Sequence, residues 1–392
     1  MARSDARLTQ RLAEYLDQFQ SDFRRREQFH WAGVYLHGLL QEGGRKSVET
    51  LARRVALVVA QAGRPVDDLA QAMQNFVGQS PWDERPLWQR YRALMNQRFG
   101  DPQGVFVIDD ITIPKQGEQS AGVQRQFSHA LGKKVNCQVA VALYYVGPHV
   151  CYPLALRLYL PGKWLRSAQR LDAVGVPAEF RRTASRSALA LELVDQARAE
   201  GLTCRYVAAG SGYGAVREFR RGLAERGLLY AVDVSEQLLA FGDKPIVARV
   251  PGARSRLAPG APSPMCLAQL ADQASWLPIP ADAGVKGRYA RMLVWLAPDP
   301  GTGDYADAEP LQLLVVETEA GPRQFMLAYH QEGDETIPPA ALWGVRQAAR
   351  DAEQRMKAEL GLDHFEGRSW RGFHHHSCLV ALAYGFTLLS RP

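Results

Sequence analysis

The apolar run Val105-Phe-Val-Ile108 stops abruptly at two adjacent carboxylates, Asp109 and Asp110, and resumes as Ile111-Thr-Ile113 before Pro114 and a Lys115/Gly117 turn. A continuous apolar run bounded by turn residues predicts a buried central strand. Similar runs predict a second strand over Asn136–Val146 and a third over Cys151–Leu160, with shorter ones at Arg205–Ala209 and Tyr230–Val234. Helical spacing appears from Arg186 to Glu200 and from Val216 to Arg226. Upstream, Leu8, Leu12, Tyr15, Leu16 and Phe19 recur at helical intervals, Phe29–Leu40 is apolar and aromatic, and Val48–Ala60 follows a basic turn with Ser47 as N-cap. A further helix is predicted with Ser80 capping and Pro81 at its first position. Downstream, Pro, Gly and Ala are dense between Pro245 and Pro280. Strand-like runs then occupy Tyr289–Leu296, Leu311–Thr318 and Arg323–Tyr329. A helix over 338–360 and a last apolar helix over Cys378–Leu389 complete the pattern.

This order predicts an α/β protein in four parts: a helical region over 1–100, a first part of the core over 101–235, a β-rich insertion over 236–332, and a helical completion of the core over 333–392. The hydrophobic fraction of 46% against 22% charged residues places the chain among globular proteins. A net charge of +6 permits nucleic-acid binding without requiring it. Five scattered cysteines with no C-x-x-C pair point to a reducing compartment. Met1–Gln20 is polar, so no secretory signal is expected there, and no apolar run reaches membrane-span length. The expected location is the cytoplasm.

Burying a carboxylate is costly unless it is paired or holds a metal. Asp109 and Asp110 therefore mark either an active site or a structural salt bridge. Gly210-Ser-Gly-Tyr-Gly214, between a strand and a helix, superficially resembles a phosphate-binding turn, but a lone Gly-x-Gly-x-Gly is weak. Ser211 is not in a nucleophile elbow, since Ala209 and Tyr213 flank it. His374, His375 and His376 are consecutive, and consecutive helical residues diverge, so a structural role is expected over shared metal ligation. A general base beside Asp109 is the sharper alternative. Cys137 reads as a buried thiol before it reads as a nucleophile. Two basic groups stand out. Lys115, Arg125, Lys133, Lys134, Arg368 and Arg371 flank the acidic strand, and Arg181-Arg182, Arg186, Arg217, Arg220-Arg221 and Arg226 form another group whose helical spacing suggests a stripe. Each is either a phosphate-contacting surface or ordinary solvated charge.

The order strand, strand, strand, helix, strand, helix, with an acidic pair on the first strand, is that of a ribonuclease-H-like core. Here the motifs become specific. They include Tyr35-Leu-His-Gly-Leu-Leu40, Arg45-Lys46, Gln79-Ser-Pro-Trp-Asp83, Asp109-Asp-Ile-Thr112, Lys115-Gln-Gly117, Ser120-Ala-Gly-Val-Gln-Arg-Gln-Phe-Ser128, Gly132-Lys133 and Asn136-Cys-Gln138. Later come Gly212-Tyr-Gly214, Gly284-Val-Lys-Gly287, Leu360-Gly-Leu-Asp-His-Phe-Glu366, Arg368-Ser-Trp-Arg-Gly372 and His374-His-His376. Over nearly its full length the chain resembles the DDE transposases of bacterial insertion sequences. The resemblance implies three carboxylates clamping two divalent ions, Mg²⁺ by preference, for in-line phosphodiester displacement. It also implies DNA as a partner and is compatible with a homodimer.

The chain departs from the family where that chemistry is concentrated. Asp109 matches the first acid. The resemblance places the second directly before the Ser/Ala-Gly-Tyr-Gly turn, where this chain has Gly210. It places the third in an Arg, three residues, Glu, six residues, Lys arrangement; anchored on Lys357, this gives Arg346 and then Arg350 at the glutamate position. Asp351 and Glu353 lie nearby but out of register, and Glu366 belongs to a separate motif. The expectation is a degenerate triad in which Arg350 pairs with Asp109 or Asp110 in place of metal, with no cofactor unless Mg²⁺ returns through a rescuing acid such as Glu366. Three readings follow: a transposase-derived protein without strand transfer that keeps DNA binding; an enzyme recruited for a small-molecule or carrier-bound substrate, using Asp109, Asp110, a histidine from 374–376 and Ser211 or Cys137; and an active transposase with a shifted acid.

Overall fold

Ten residues of extended chain, Val105–Pro114, form the strand on which the architecture turns, with its first four residues buried and Asp109 and Asp110 half-buried after them. The computed structural model describes residues 2–61, 68–128, 132–248, 254–280, 285–298, 304–305, 308–319, 321–329 and 339–390. Met1, Gly284 and the first position of the helix expected over 338–360 lie outside them. The elements begin with α1 (Ala2–Asp17), α2 (Arg26–Leu40), α3 (Val48–Gln61), α4 (Leu69–Gly78) and α5 (Glu84–Phe99). Next come β1 (Val105–Pro114), β2 (Gln124–Ser128), β3 (Lys133–Gly147), β4 (Val150–Leu158), α6 (Gly162–Leu165), α7 (Ala168–Ala173) and α8 (Arg186–Ala199). Then β5 (Tyr206–Ala209), α9 (Ser211–Gly214), α10 (Arg217–Glu225) and β6 (Tyr230–Val234) lead to β7 (Leu239–Phe241), β8 (Val247–Ala248), β9 (Arg256–Leu257), β10 (Met265–Cys266) and α11 (Leu267–Asp272). Last are β11 (Trp276–Pro278), β12 (Gly287–Leu296), β13 (Pro310–Thr318), β14 (Gly321–Tyr329), α12 (Pro339–Ala358) and α13 (Trp370–Leu389). The fold is mixed α/β with a large mixed sheet, of the ribonuclease-H-like kind.

The chain divides into two compact units, and β1 and α12 contribute to both. The first unit holds Met1–Gly104, Asp109–Cys204 and Ala348–Pro392. In it β3 pairs antiparallel with β2 at one end and β4 at the other. Helix α13 is its hub, packing against β4, α2, α4 and α5. From Trp370 to Phe386 nearly every residue of this helix is buried, which explains why it shows no amphipathic stripe. The second unit holds Val105–Ile108 and Arg205–Gln347. There the first half of β1 runs parallel to β5, and β5 parallel to β6. Beyond β6 the pairing turns antiparallel through β14, β13, β12 and β7. Among the described residues no helix is long and apolar enough to cross a membrane.

Three differences from the sequence expectation have a direct physical reason. Strand β2 is too polar (Gln-Arg-Gln-Phe-Ser) to give an apolar signal; it forms through main-chain pairing with β3. Helix α5 starts at Glu84 with Asp83 accepting from the Arg85 amide, so Ser80 and Pro81 belong to the preceding loop. Helix α13 begins at Trp370, capped by Ser369, and carries the three histidines, rather than beginning at Cys378.

One buried ion pair ties the helical segment to the first unit's sheet. Arg92 of α5, 2% exposed, makes two bonds to the Glu200 carboxylate and donates to the Leu154 carbonyl of β4 at 2.9 Å. Removing one partner of such a pair strands the other charge and the carbonyl. Arg92→Met is expected to cost about 3–5 kcal/mol in chemical denaturation, because the buried cation's partners lose their donor.

Candidate functional site

Asp109 and Asp110 are two half-buried positions between the buried stretches 105–108 and 111–113 of β1, and the Asp109 carboxylate accepts the Asp110 amide at 2.9 Å. The arginine on Asp110 is Arg186, the first residue of α8, and not Arg350 as the sequence suggested. Arg350 is exposed on α12, and its charge reaches Glu353. No sequence signal points to Arg186, because 76 positions separate it from Asp110.

Helix α12 brings a residue that register alone sets aside. Glu353 follows Arg350 by three positions and precedes Lys357 by four, spacings that share one helix face. Its carboxylate pairs with the Lys357 ammonium at 2.5 Å, and that ammonium also donates to the Thr112 carbonyl of β1 at 3.2 Å. Burial pushes the Glu353 carboxyl up and the charge of Asp109 adds to it, while Lys357 and Arg350 oppose the shift. The Tyr144 hydroxyl lies within electrostatic range of both acids, fully buried and without a hydrogen-bond partner among the described residues. Asp109, Glu353, Arg350 and Lys357 thus form a cluster with two charges of each sign.

Gly210 precedes α9 with φ −69° and ψ 164°, a conformation open to any residue, so no backbone requirement explains the glycine. Gly214 is different: a Cβ there would lie 1.9 Å from the Asp233 carbonyl oxygen, so the turn is tight because α9 packs on β6. Ser211 is exposed, and Cys137 is buried with its thiol pushed up by desolvation.

The histidines serve packing. His374 faces the Trp370 carbonyl through Nδ1 at 3.0 Å and accepts the Leu158 amide through Nε2 at 3.5 Å. His376 faces the Tyr35 hydroxyl at 3.0 Å and the Gly361 carbonyl at 2.9 Å. His375 stacks on Trp82 with ring centroids 3.5 Å apart and places its nitrogens on the Val77 and Trp82 carbonyls. None of these contacts involves Asp109.

The basic residues separate by location. Arg125, Lys133 and Lys134 are exposed on the β2–β3 hairpin, and Arg371 donates to the Gln79 carbonyl. Lys115 and Arg368 line a cavity of about 880 Å³ with Arg45 and Glu366, and the last two form an ion pair. The second arginine group is not an open stripe. Arg181, Arg182 and Arg186 pair with Asp172, Glu192 and Asp110; Arg217 and Arg221 pair with Glu309 and Glu225; Arg220 is buried and bonds the Gly214 carbonyl.

Burial lowers the histidines' proton affinity, to about 3 for His374 and His375 and about 4 for His376, from an ordinary 6.5. The unfolded chain therefore takes up protons first as pH falls, so this stabilisation is complete above pH 6.5 and is lost below it. Melting temperature is expected to drop between pH 6.5 and 5, above the main carboxylate range, and His376→Gln is expected to flatten that slope. A second expectation concerns the acids: Lys357→Met should raise the Glu353 carboxyl further, read by carbon NMR titration, since its cation is gone and Asp109 remains.

A probable transposase for insertion sequence element IS701 from Microchaete diplosiphon is 27% identical to the chain over 223 residues, which cover 56% of this chain and 53% of the relative. The chain thus spans about half the length of the curated relative it matches. The sequence profile of the DDE superfamily endonucleases matches residues 18–290, well over half of the chain and inclusive of β1, its two aspartates and the Gly210 turn. With the ribonuclease-H-like core around β1, this settles the family: the chain belongs to the DDE superfamily endonucleases.

Proposed function

We propose that the chain is a DNA-binding member of the transposase family in which two-metal strand transfer has been lost. The supporting observation is the charge arrangement around Asp109. The family's chemistry calls for several oxygen ligands around two Mg²⁺ ions. In the first unit Glu353 is bonded to Lys357, and Asp110 is bonded to Arg186. Gly210 supplies no ligand, and among the described residues no three His, Cys, Asp or Glu side chains gather as a metal-holding group. This donor set does not fit two divalent ions, so no step through them is derived. DNA binding is supported by the exposed Arg125, Lys133 and Lys134 of the β2–β3 hairpin, where flexible cations suit phosphate contact.

A second reading, strand transfer with the third acid moved to Glu353, is favoured by one observation: Asp109 and Glu353 act on each other electrostatically, and burial leaves Glu353 avid for a positive partner.

One experiment separates them. The purified chain is titrated with Mn²⁺ and with duplex DNA. The proposal expects no tight Mn²⁺ binding, DNA affinity that falls steeply with added salt, and no metal-dependent nicking. Nicking by the unmodified chain that Asp109→Ala and Glu353→Gln both abolish would establish the shifted acid instead.

A further inference from the structure

The cavity lined by Lys115 and Arg368 has no place in either reading of the acidic cluster. Three loops of the first unit wall it: α2–α3 with Arg45, β1–β2 with Lys115 and Gln119, and α12–α13 with Asp363, His364 and Arg368. These loops are fixed to one another. The Ala121 amide donates to the Arg368 carbonyl at 2.9 Å, and the Lys115 ammonium to the Phe365 carbonyl. Asn136 Nδ2 donates to the Lys115 and Gly117 carbonyls at 2.8 and 3.0 Å. Lys46, buried beside Arg45, donates its amide to His364 Nδ1 at 3.0 Å and its ammonium to the Leu39 carbonyl at 2.9 Å. Walls held this way are shaped before any ligand arrives, which lowers the ordering cost of binding.

The chemistry of the lining is two-sided. Arg45, Lys115 and Arg368 bring positive charge; Asp363 and Glu366 bring negative charge. The Lys46 amide occupies His364 Nδ1, so the neutral ring carries its proton on Nε2 and acts as a donor, 3.7 Å from Asp363 Oδ1. Asp363 Oδ1 is itself buried and accepts no hydrogen bond among the described residues. Lys115 is mostly buried, which weakens its hold on the proton, while Asp363 and Glu366 strengthen it. Cations and carboxylates lining one cavity suit a ligand that has both N–H donors and an anionic group. The volume of about 880 Å³ is within the range of small-ligand sites.

We infer that this cavity binds a nucleoside phosphate, with the base donating to Asp363 and the phosphate held by Arg368, Arg45 and Lys115. The phosphate belongs to a free nucleotide or to the unpaired end of a DNA strand. The choice of a nucleic-acid component rests on the DNA-binding reading above.

The test titrates the full chain calorimetrically with the four deoxynucleoside 5′-monophosphates, the matching nucleosides, and a 5′-phosphorylated single-stranded oligonucleotide. Saturable, phosphate-dependent binding is expected. Arg368→Ala, at an exposed position, should weaken it about tenfold or more, and Asp363→Asn should reorder the preference among bases while the phosphate dependence persists. An oligonucleotide that binds more tightly than the monophosphates identifies a strand end as the ligand; the reverse identifies a free nucleotide. The inference is overturned if no monophosphate or oligonucleotide binds at millimolar concentration, or if both variants bind as the unmodified chain does. Duplex DNA titrated in parallel separates the two claims. Duplex binding untouched by both variants, with no nucleotide binding, sinks the cavity alone, whereas nucleotide binding without duplex binding sinks the proposed function alone.

Discussion

A helix buried on every face leaves its polar side chains no water, and α13 obeys this constraint with three consecutive histidines. Each ring must find fixed partners, and those partners lie on α2, α4, β4, the α4–α5 loop and the α12–α13 loop, with Trp370 of α13 itself. The elements of the first unit are therefore registered against α13 by hydrogen bonds, in addition to being packed on it. The stack of His375 on Trp82 joins two of the sequence's most specific motifs into one contact. Only a protonated His375 can donate to both of its carbonyl neighbours, and burial opposes that charge.

The same economy of partners governs the acids. A buried carboxylate must be neutralised by proton, metal or cation. In this chain cations stand in that role: Lys357 on Glu353 and Arg186 on Asp110. The charge of each of these acids is thus balanced from within the chain. The loops that close the α12–α13 cavity use Lys46 and Lys115 as internal ties to main-chain carbonyls.

Much of the fold was legible in the sequence because it rests on local patterns. The apolar runs give β1, β3, β4, β5 and β6 to within a few residues, and Tyr230–Val234 at both ends. What was not legible depends on partners distant in the chain. Strand β2 is polar and exists by pairing. The early start of α13 is hidden because a helix buried all round carries no stripe. At the site, Asp109 and Asp110 were marked by their position after an apolar run, and Gly210 by its motif. Glu353 is out of register with the family pattern, and its contact with Lys357 follows from turn spacing on the helix. The sequence points to Arg350 as partner of Asp109 or Asp110, and the partner of Asp110 comes from α8 instead, since charge alone does not choose among many arginines.

Arg186 also places a full positive charge in the first turn of α8, where the unpaired main-chain N–H groups already carry partial positive charge. Alone it would weaken the start of that helix. Asp110 cancels both contributions at once, so the strand's second aspartate serves as the counter-ion for a helix origin. Any redesign that drew Asp110 toward a metal would unmask the field at the head of α8, and the cost of the new ligand would be felt as fraying at Ser185 and Arg186 rather than at the strand.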